Sequence, residues 1–204
     1  MRRYGVLTSI GYDALSGERP LYRAGRLEAI RRLDLSPGDA VLVVGAGTGL
    51  DLPPLARAVG PTGLLIAVDD SPAMLRRSAG RRRRGWPELR LVQADLTRAR
   101  SVLPPDVPPV DAVLAVNTLS LIPDWRAAWR RAREAARPGA RVAVADIGRP
   151  DGGSLIRAWA PLISAVGLGR LDARPWRAVE EDASDVTSAS WFHGHVQLRA
   201  GTLL

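Results

Sequence analysis

The segment GAGTG at residues 45–49 is the clearest indication of ligand binding in this sequence. It follows the apolar run VLVV at 41–44 and precedes a predicted helix, so its backbone N–H groups and the helix dipole would face a ligand. A loop that holds a dinucleotide would carry a third glycine at position 50, where this chain has Leu50. We therefore expect a nucleoside without a tightly held pyrophosphate.

A carboxylate follows the second apolar run of the chain. Asp69 comes after LLIAV at 64–68 and lies 20 residues beyond Gly49. A carboxylate at that point can accept hydrogen bonds from both ribose hydroxyls, which implies a ribose without a 2′-phosphate. The alternative is a tight turn beside an ordinary loop acid, but loop, acid and alternating strands together favour a nucleoside-bearing cofactor.

The candidate proton acceptors are the two histidines of the sequence, His193 and His195. They lie in TSASWFHGHVQLRAGTL at 187–203, which is typical of a hairpin that turns near Gly194. Asp146, at the end of another apolar run, is a further candidate. The alternatives are a solvated or packing histidine at a turn and a capping carboxylate at Asp146.

Composition excludes several kinds of chemistry. The 204 residues are 46% hydrophobic and 25% charged, as in one soluble globular domain, and no apolar run approaches a membrane span. Because the chain has no Cys and all 29 of its basic residues are Arg, thiol nucleophiles and lysine Schiff bases are excluded. No metal site is predicted. The N-terminal residues lack the apolar stretch of a secretory signal, so the expected location is cytoplasmic.

The net charge of +8 leaves nucleic acid to be considered as a partner. Arginines crowd one predicted helix end and the loop after it, at positions 76, 77, 81–84 and 90. Such a cluster is either a footprint for phosphates or a solvated face, and we favour the solvated face. The sequence NTLS at 117–120 lacks the acceptor motif of adenine amino-methylases, so nucleic acid is an unlikely partner.

Five short apolar runs predict buried strands, at residues 41–45, 64–68, 89–94, 112–116 and 141–146. Helical patterns lie between them, with start or stop signals at Pro53-Pro54, Ser71-Pro72, Asp124 and Pro138-Gly139. Strands that alternate with helices pair in parallel through right-handed crossovers, so we expect an α/β fold with a doubly wound sheet. A further helix is predicted around residues 155–162 and a polar stretch at 171–185.

Six stretches carry a family resemblance in their order and spacing: YDALSG at 12–17, PGDAVLVVGAGTGLDLPPLA at 37–56, VDDSPAMLRRS at 68–78, LVQADL at 91–96, VDAVLAVNTLSLIPDW at 110–125 and ARPGARVAVADIGRP at 136–150. In these the chain resembles the class I S-adenosylmethionine-dependent methyltransferases, particularly the methyltransferase type 11 branch with the ubiquinone/menaquinone biosynthesis enzymes. The resemblance implies a seven-stranded Rossmann-like sheet of order 3-2-1-4-5-7-6, its last strand antiparallel and helices on both faces. Residues 1–204 would form one domain: a lid segment at 1–36, a cofactor-binding core at 37–150, and a substrate-side helix and terminal hairpin at 151–204.

The resemblance also implies the cofactor, S-adenosylmethionine, and the residues that hold it. The glycine loop would pass the methionine and ribose portions, Asp69 would bind the ribose hydroxyls, and Asn117 would contact the methionyl amino group. Asp70 and Met74 would flank adenine, and Asp95 would accept its amino group. The implied binding residues are Tyr12 and Tyr22 of the lid, Gly45, Ala46, Gly47, Thr48, Gly49, Asp69, Asp70, Met74, Asp95, Leu96 and Asn117.

One position departs from the family pattern. The family usually has an acidic residue two positions before the first loop glycine, where it helps to anchor the methionyl ammonium, and this chain has Val43 there. Asp51, just beyond the loop, is a candidate to replace part of that negative charge.

The resemblance implies a methyltransferase that acts on a small molecule such as a phenol, a quinol or a polyketide-like compound, by O- or C-methylation. Candidate catalytic residues are His195 and His193, because the family places the turn before its last strand above the cofactor. The alternative is a cofactor-binding protein that has lost methyl transfer, and RNA methylation is less favoured. The expected assembly is a monomer or a homodimer without integral membrane association.

Overall fold

The computed structural model describes residues 22–151 and 169–204. In this part of the chain seven strands form one sheet in the order β3-β2-β1-β4-β5-β7-β6. Strands β1 to β5 run parallel, whereas β7 pairs antiparallel with both β5 and β6. The predicted strand order and the antiparallel last strand are therefore confirmed.

The strands are β1 (Ala40–Val44), β2 (Leu64–Asp69), β3 (Glu88–Gln93), β4 (Val110–Val116), β5 (Ala136–Ile147), β6 (Ala183–Trp191) and β7 (Val196–Leu203). The helices are α1 (Arg23–Arg32), α2 (Leu52–Val59), α3 (Pro72–Ala79), α4 (Trp125–Glu134) and α5 (Arg177–Asp182), with a 3-10 turn at Leu119–Leu121. None of the helices in these described ranges is both long and apolar enough to cross a membrane.

Alternate side chains of the central strand pack on opposite faces of the sheet. Val41 and Val43 of β1 join the apolar cluster formed with α1 and α2, whereas Leu42 and Val44 join the cluster formed with α4 and α5. All four side chains are at most 1% exposed. A strand that is apolar on both faces is what a sheet covered by helices on both sides requires.

The helix starts follow the predicted local signals. Ser71 caps α3 by accepting a hydrogen bond from the N–H of Met74 at 3.4 Å, and Asp124 caps α4 through the N–H of Ala127 at 3.0 Å. Helix α2 has proline in its first turn and ends at Gly60, whose φ of 66° suits a residue without a side chain.

Three features differ from the sequence prediction. Helix α4 ends at Glu134 instead of continuing to Pro138-Gly139, because the carbonyl of Ala135 accepts a hydrogen bond from Val110 and the chain enters β5 at Ala136. Helix α1 was not predicted, and α5 occupies part of the stretch read only as polar. The helix predicted around 155–162 lies outside the described residues.

The terminal hairpin brings its turn to the edge of the sheet where the parallel strands end. Val196, the first residue of β7, pairs with Ile147, the last residue of β5. The turn at residues 192–195 therefore lies at the carboxyl edge, the same edge at which the glycine loop follows β1. The predicted position of the two histidines along the hairpin is confirmed.

Candidate active site

The three glycines of the loop at 45–49 differ in the space that a side chain would have at each position. All have positive φ, of 62° at Gly45, 53° at Gly47 and 79° at Gly49. A Cβ at Gly45 would lie 1.8 Å from Oγ1 of Thr118, and one at Gly49 would lie 2.9 Å from Cα of Ser78. Among the described residues, a Cβ at Gly47 would meet only the carbonyl oxygen of Gly45, at 4.0 Å. Gly47 thus borders open space in which a ligand can approach the backbone.

The loop is held in place through its carbonyl groups. Ser78 of α3 donates its hydroxyl to the carbonyl of Gly47 at 2.9 Å, and Nε of Arg81 donates to the carbonyl of Thr48 at 2.5 Å. The N–H of Ala46 donates to the carbonyl of Val68 at 2.9 Å. Arg81, part of the arginine run, therefore supports the loop, whereas the side chains of Arg82 to Arg84 are exposed.

Asp69 links the end of β2 to this loop. Its Oδ2 accepts the N–H of Gly47 at 2.8 Å, and its Oδ1 accepts the N–H of Ser71 at 2.9 Å. Burial raises the pKa of the Asp69 carboxyl, and these two backbone bonds oppose that shift. Since each carboxylate oxygen can accept a second hydrogen bond, Asp69 keeps acceptor capacity for hydroxyl donors.

Two further acids follow β2 and β3. Oδ1 of Asp95 accepts the hydroxyl of Thr97 at 2.6 Å and its N–H at 2.9 Å, and this hydroxyl bond is the main cause that lowers the pKa of Asp95. The pKa of Asp70 is raised, by burial first and then by the charge of Asp95, so the two carboxylates share one region. Met74 and Leu96 are buried beside this edge, at 4% and 5% exposure.

Asn117, directly after β4, carries a polar atom that the described residues do not satisfy. Its backbone has a φ of 49° and donates to the carbonyl of Ala145 at 2.8 Å. The side-chain Oδ1 is buried and has no hydrogen-bond partner in the described part of the chain. A buried carbonyl oxygen without a donor is costly, and a ligand ammonium or amino group would satisfy it.

The Asp146 carboxylate at the end of β5 accepts hydrogen bonds from the protein backbone. Its side chain is fully buried; Oδ2 accepts the N–H of Ser120 at 3.0 Å and Oδ1 that of Ile147 at 2.8 Å. Burial raises the pKa of this carboxyl, and the bonds from the Ser120 hydroxyl and backbone oppose the shift. The carboxylate therefore fixes the 3-10 turn after Asn117, which agrees with the capping alternative.

The two histidines of the hairpin turn have different surroundings. His195 is buried, with Nδ1 3.0 Å from the carbonyl oxygen of Gly148 and Nε2 3.3 Å from the hydroxyl of Tyr22. Burial lowers the pKa of His195, so its imidazole is neutral near pH 7. His193 is exposed, and its carbonyl accepts the N–H of Asp151 at 2.7 Å.

Val43, which replaces the family acid, and the nearby Asp51 both have structural roles. Val43 is 1% exposed and packs in the cluster beneath α1 and α2. Asp51 forms a buried ion pair with Arg26 of α1, so its charge is already compensated by a guanidinium. The pair ties α1 to the residue that follows the glycine loop.

The structure therefore brings the loop, Asp69, Asp70, Asp95 and Asn117 to one edge of the sheet, with His195 and Tyr22 further along it. Tyr12 lies outside the described residues. Sequence reasoning missed the residues that support the site, which are Ser78, Arg81, Thr118 and Ser120. These partners are distant in sequence from the loops they hold, and no local pattern marks them.

Comparison with known proteins settles the family. A family model for a methyltransferase domain matches residues 42–142. The chain is 30% identical over 176 residues to a ubiquinone/menaquinone biosynthesis C-methyltransferase of Burkholderia vietnamiensis, an alignment that covers 84% of this chain and 68% of that protein. The chain belongs to the S-adenosylmethionine-dependent methyltransferases. The resemblance inferred from the sequence motifs is thereby confirmed.

Two further comparisons extend this result. The methyltransferase chain is 34% identical over 128 residues to a demethylmenaquinone methyltransferase of Corynebacterium urealyticum, covering 63% of this chain but only 50% of that protein. A methyltransferase structure from Aquifex aeolicus has the same fold, with a TM-score of 0.66 at 15% identity and coverage of 99% and 100% of the two chains. The chain thus spans half the length of the Corynebacterium relative.

The cofactor of this family, S-adenosylmethionine, fits the residues present. The unsatisfied Oδ1 of Asn117 suits the methionyl ammonium, and the open side of Gly47 leaves room at the loop backbone. Asp69 retains acceptor positions for ribose hydroxyls. The carboxylate that the family usually carries at position 43 is replaced by Val43.

Proposed function

We propose that this protein transfers a methyl group from S-adenosylmethionine to a small, largely apolar phenol or quinol. The observation that carries the proposal is the buried Oδ1 of Asn117, which has no donor among the described residues and lies at the same sheet edge as Asp69 and the open side of Gly47. An adenosine joined to an amino acid presents hydroxyl and ammonium donors of the kinds these acceptors need.

The chain's own contribution is binding, alignment and exclusion of water. When bound, the cofactor supplies a methyl group already activated on a sulfonium, so the protein needs chiefly to hold the acceptor in line with it. Asp69 and the loop fix one end of the site, and Asn117 fixes the other through a turn that Asp146 rigidifies. Holding donor and acceptor in line in this way can supply about 7–11 kcal/mol of the reduction in the barrier.

An apolar cluster at the same edge supports a small, apolar acceptor. Tyr22, Ile147 and Val196 form a buried cluster there, and the partly buried Leu171 and Trp191 pack against it. The chain's relatives named as quinone-biosynthesis methyltransferases act, by those names, on ring compounds of this character. Phenols and quinols fit because they combine an apolar ring with one acidic hydroxyl or carbon.

A transfer assay with isotopically labelled S-adenosylmethionine tests this function. The acceptor panel should contain phenols, quinols and polyketide-like compounds, with total RNA as a control because Arg82 to Arg84 are exposed. We expect label in at least one ring compound and none in RNA. Label in RNA alone would contradict the proposal.

Loss of methyl transfer is the second candidate function, and the buried valine at position 43 is the observation that favours it. In that case the protein would bind S-adenosylmethionine but release it unchanged in the presence of every acceptor. Detection of S-adenosylhomocysteine as a product would exclude this candidate.

A further inference from the structure

The pair formed by Tyr22 and His195 is a polar contact inside an otherwise apolar cluster. Tyr22 precedes α1 and is 8% exposed, and His195 precedes β7 and is 2% exposed. Their ring centroids lie 6.1 Å apart with the planes tilted by 46°. The pair joins two parts of the chain that are 173 residues apart, so it is a product of the fold rather than of local sequence.

The hydrogen bonds of His195 determine which nitrogen carries its proton. A carbonyl oxygen can only accept, so Nδ1, 3.0 Å from the oxygen of Gly148, must be the protonated nitrogen. In the neutral ring, Nε2 is then an acceptor, and the Tyr22 hydroxyl at 3.3 Å donates to it. The backbone reinforces this orientation, because the N–H of Gly148 donates to the carbonyl of His195 at 2.8 Å.

The sheet places this pair beside the proposed methyl-transfer site. Gly148 directly follows β5, Asn117 directly follows β4, and the glycine loop directly follows β1, three strands that are neighbours in that order. Strands are spaced about 4.8 Å apart, so the pair stands roughly 10 Å along the edge from the loop. Asn117, which follows β4, lies along the edge between the loop and the pair, so an acceptor held above it would face both.

We propose that Tyr22 and His195 form a proton relay that accepts the hydroxyl proton of the methyl acceptor. The acceptor's O–H bond breaks and its proton bonds to the Tyr22 oxygen, while the Tyr22 proton moves to Nε2 of His195. The acceptor oxygen keeps the electron pair, and His195 becomes an imidazolium that still donates from Nδ1 to Gly148. The relay returns to its starting state when this proton passes to water.

The surroundings of His195 favour its neutral state. Burial lowers the pKa of His195 because desolvation penalises the imidazolium, so the resting ring is neutral with Nε2 as an acceptor, and its protonation during turnover is transient. Asp151 lies beside the turn, since a Cβ built at Gly194 would be 3.3 Å from its Oδ2. Arg149 is paired with Asp172, and the Asp146 carboxylate is occupied by backbone N–H groups.

The relay rests on the proposed function, and two measurements test it. The first is ¹⁵N NMR of the histidine side chains in the whole protein, without acceptor. We expect His195 to be the Nδ1–H tautomer, with an Nε2 resonance that shifts in Tyr22→Phe. An Nε2–H tautomer, or an unchanged Nε2 resonance in the variant, would overturn the relay.

The second measurement compares turnover of phenols that differ in acidity. With 4-methoxyphenol, which must lose a proton, Tyr22→Phe and His195→Gln should each lower kcat roughly 10²-fold. With 4-nitrophenol at a pH where it is largely ionised, the same variants should stay within a few-fold of wild type. Affinity for S-adenosylhomocysteine should not change in His195→Gln.

The control is Ser184→Ala, which removes a hydroxyl from the opposite end of the terminal hairpin and should leave both rates unchanged. Equal losses with both phenols would mean that the pair is merely structural, and no loss with either would also overturn the relay. If wild type binds S-adenosylhomocysteine but methylates neither these phenols nor any compound of the phenol and quinol panel, the proposed function fails instead.

Discussion

Single residues at the carboxyl edge serve the loop and the ligand at the same time. Asp69 accepts one backbone N–H on each carboxylate oxygen and retains a further acceptor position on each. Its charge therefore helps to shape the glycine loop before any hydroxyl donor arrives. Preorganisation of this kind reduces the entropy that binding would otherwise cost.

Asp69→Ala should weaken binding of S-adenosylhomocysteine by at least tenfold. The reason is the loss of charge-assisted hydrogen bonds to ribose, worth about 1.5–3 kcal/mol each. Asp106→Ala is a matched control, because that carboxylate is exposed and pairs only with Arg90 among the described residues. Titration calorimetry gives both affinities, and equal values for the two variants would refute the role of Asp69.

Gly45→Ala and Gly47→Ala should have different effects. A Cβ at Gly45 overlaps Thr118, so Gly45→Ala should unfold the protein or shift the turn after β4. Gly47→Ala meets no such overlap and should cost only about 1–2 kcal/mol for its positive φ, yet abolish cofactor binding by filling the open space. Thermal melts with and without S-adenosylhomocysteine measure both; a Gly47→Ala variant that binds normally would contradict the site.

At the scale of elements, α1 connects the site to the sheet. It buries Ala29 and Ile30 against the cluster that contains Val43, and its Arg26 pairs with Asp51 beside the glycine loop. Val43, at the position that usually carries the family acid, is therefore part of the apolar core, and the nearby Asp51 is paired with Arg26.

Val43→Glu should therefore destabilise the protein by more than about 3 kcal/mol, because it buries an unpaired carboxylate in a packed sheet. Val43→Ala is the control, with an expected cost of about 1–3 kcal/mol for lost methyl groups. Denaturant unfolding distinguishes the two. If Val43→Glu instead keeps wild-type stability and tightens cofactor binding, packing does not require the valine, and the chain has merely lost the family's acidic residue.

The stability contributed by Glu28 of α1 should depend on pH. Hydrogen bonds from Arg31 and Arg32 lower the pKa of Glu28 from 4.5 to about 2. A carboxyl whose pKa is lower in the folded state stabilises it fully above pH 4.5 and progressively less as pH falls towards 2. Glu28→Gln should thus cost up to about 1 kcal/mol at pH 7, the modest value of a surface pair, less at pH 2, and nothing once the pH is well below 2. A pH-independent difference in unfolding free energy would contradict this.

The sequence predicts those elements whose signals are local. All five parallel strands, the caps at Ser71 and Asp124 and the hairpin turn near Gly194 follow from apolar runs, capping residues and glycine. The end of α4 does not, because pairing of β5 with β4 begins before the proline-glycine signal. Helix α1 was not predicted because its many arginines obscure the helical spacing of its few apolar residues, which pack against the sheet.

The candidate site divides in the same way. The glycine loop and Asp69 were predictable because their spacing reflects the strand-turn-helix geometry that the chemistry needs. Contacts across the fold determine three other features: the lack of a donor for Oδ1 of Asn117 within the described part of the chain, the enclosure of Asp146, and the pairing of Tyr22 with His195. Long-range hydrogen bonds leave no periodic trace in a sequence.

At the scale of the whole molecule, the sheet order decides which residues can act together. Because β1, β4, β5 and β7 are neighbours, the loop, Asn117, Gly148 and the hairpin turn meet along one edge although they are far apart in the chain. Cofactor binding at this edge should therefore stabilise the fold as a unit, since it joins elements from both halves of the sheet.

Binding of S-adenosylhomocysteine is the most direct test of this account. We expect calorimetry to give a dissociation constant in the micromolar range; at about 10 μM, 1 mM ligand would raise the unfolding free energy by about 2.7 kcal/mol and raise Tm accordingly. A heat of binding together with that stabilisation is the predicted result. Absence of both at millimolar ligand would contradict the central claim that this edge of the sheet holds the methyl donor.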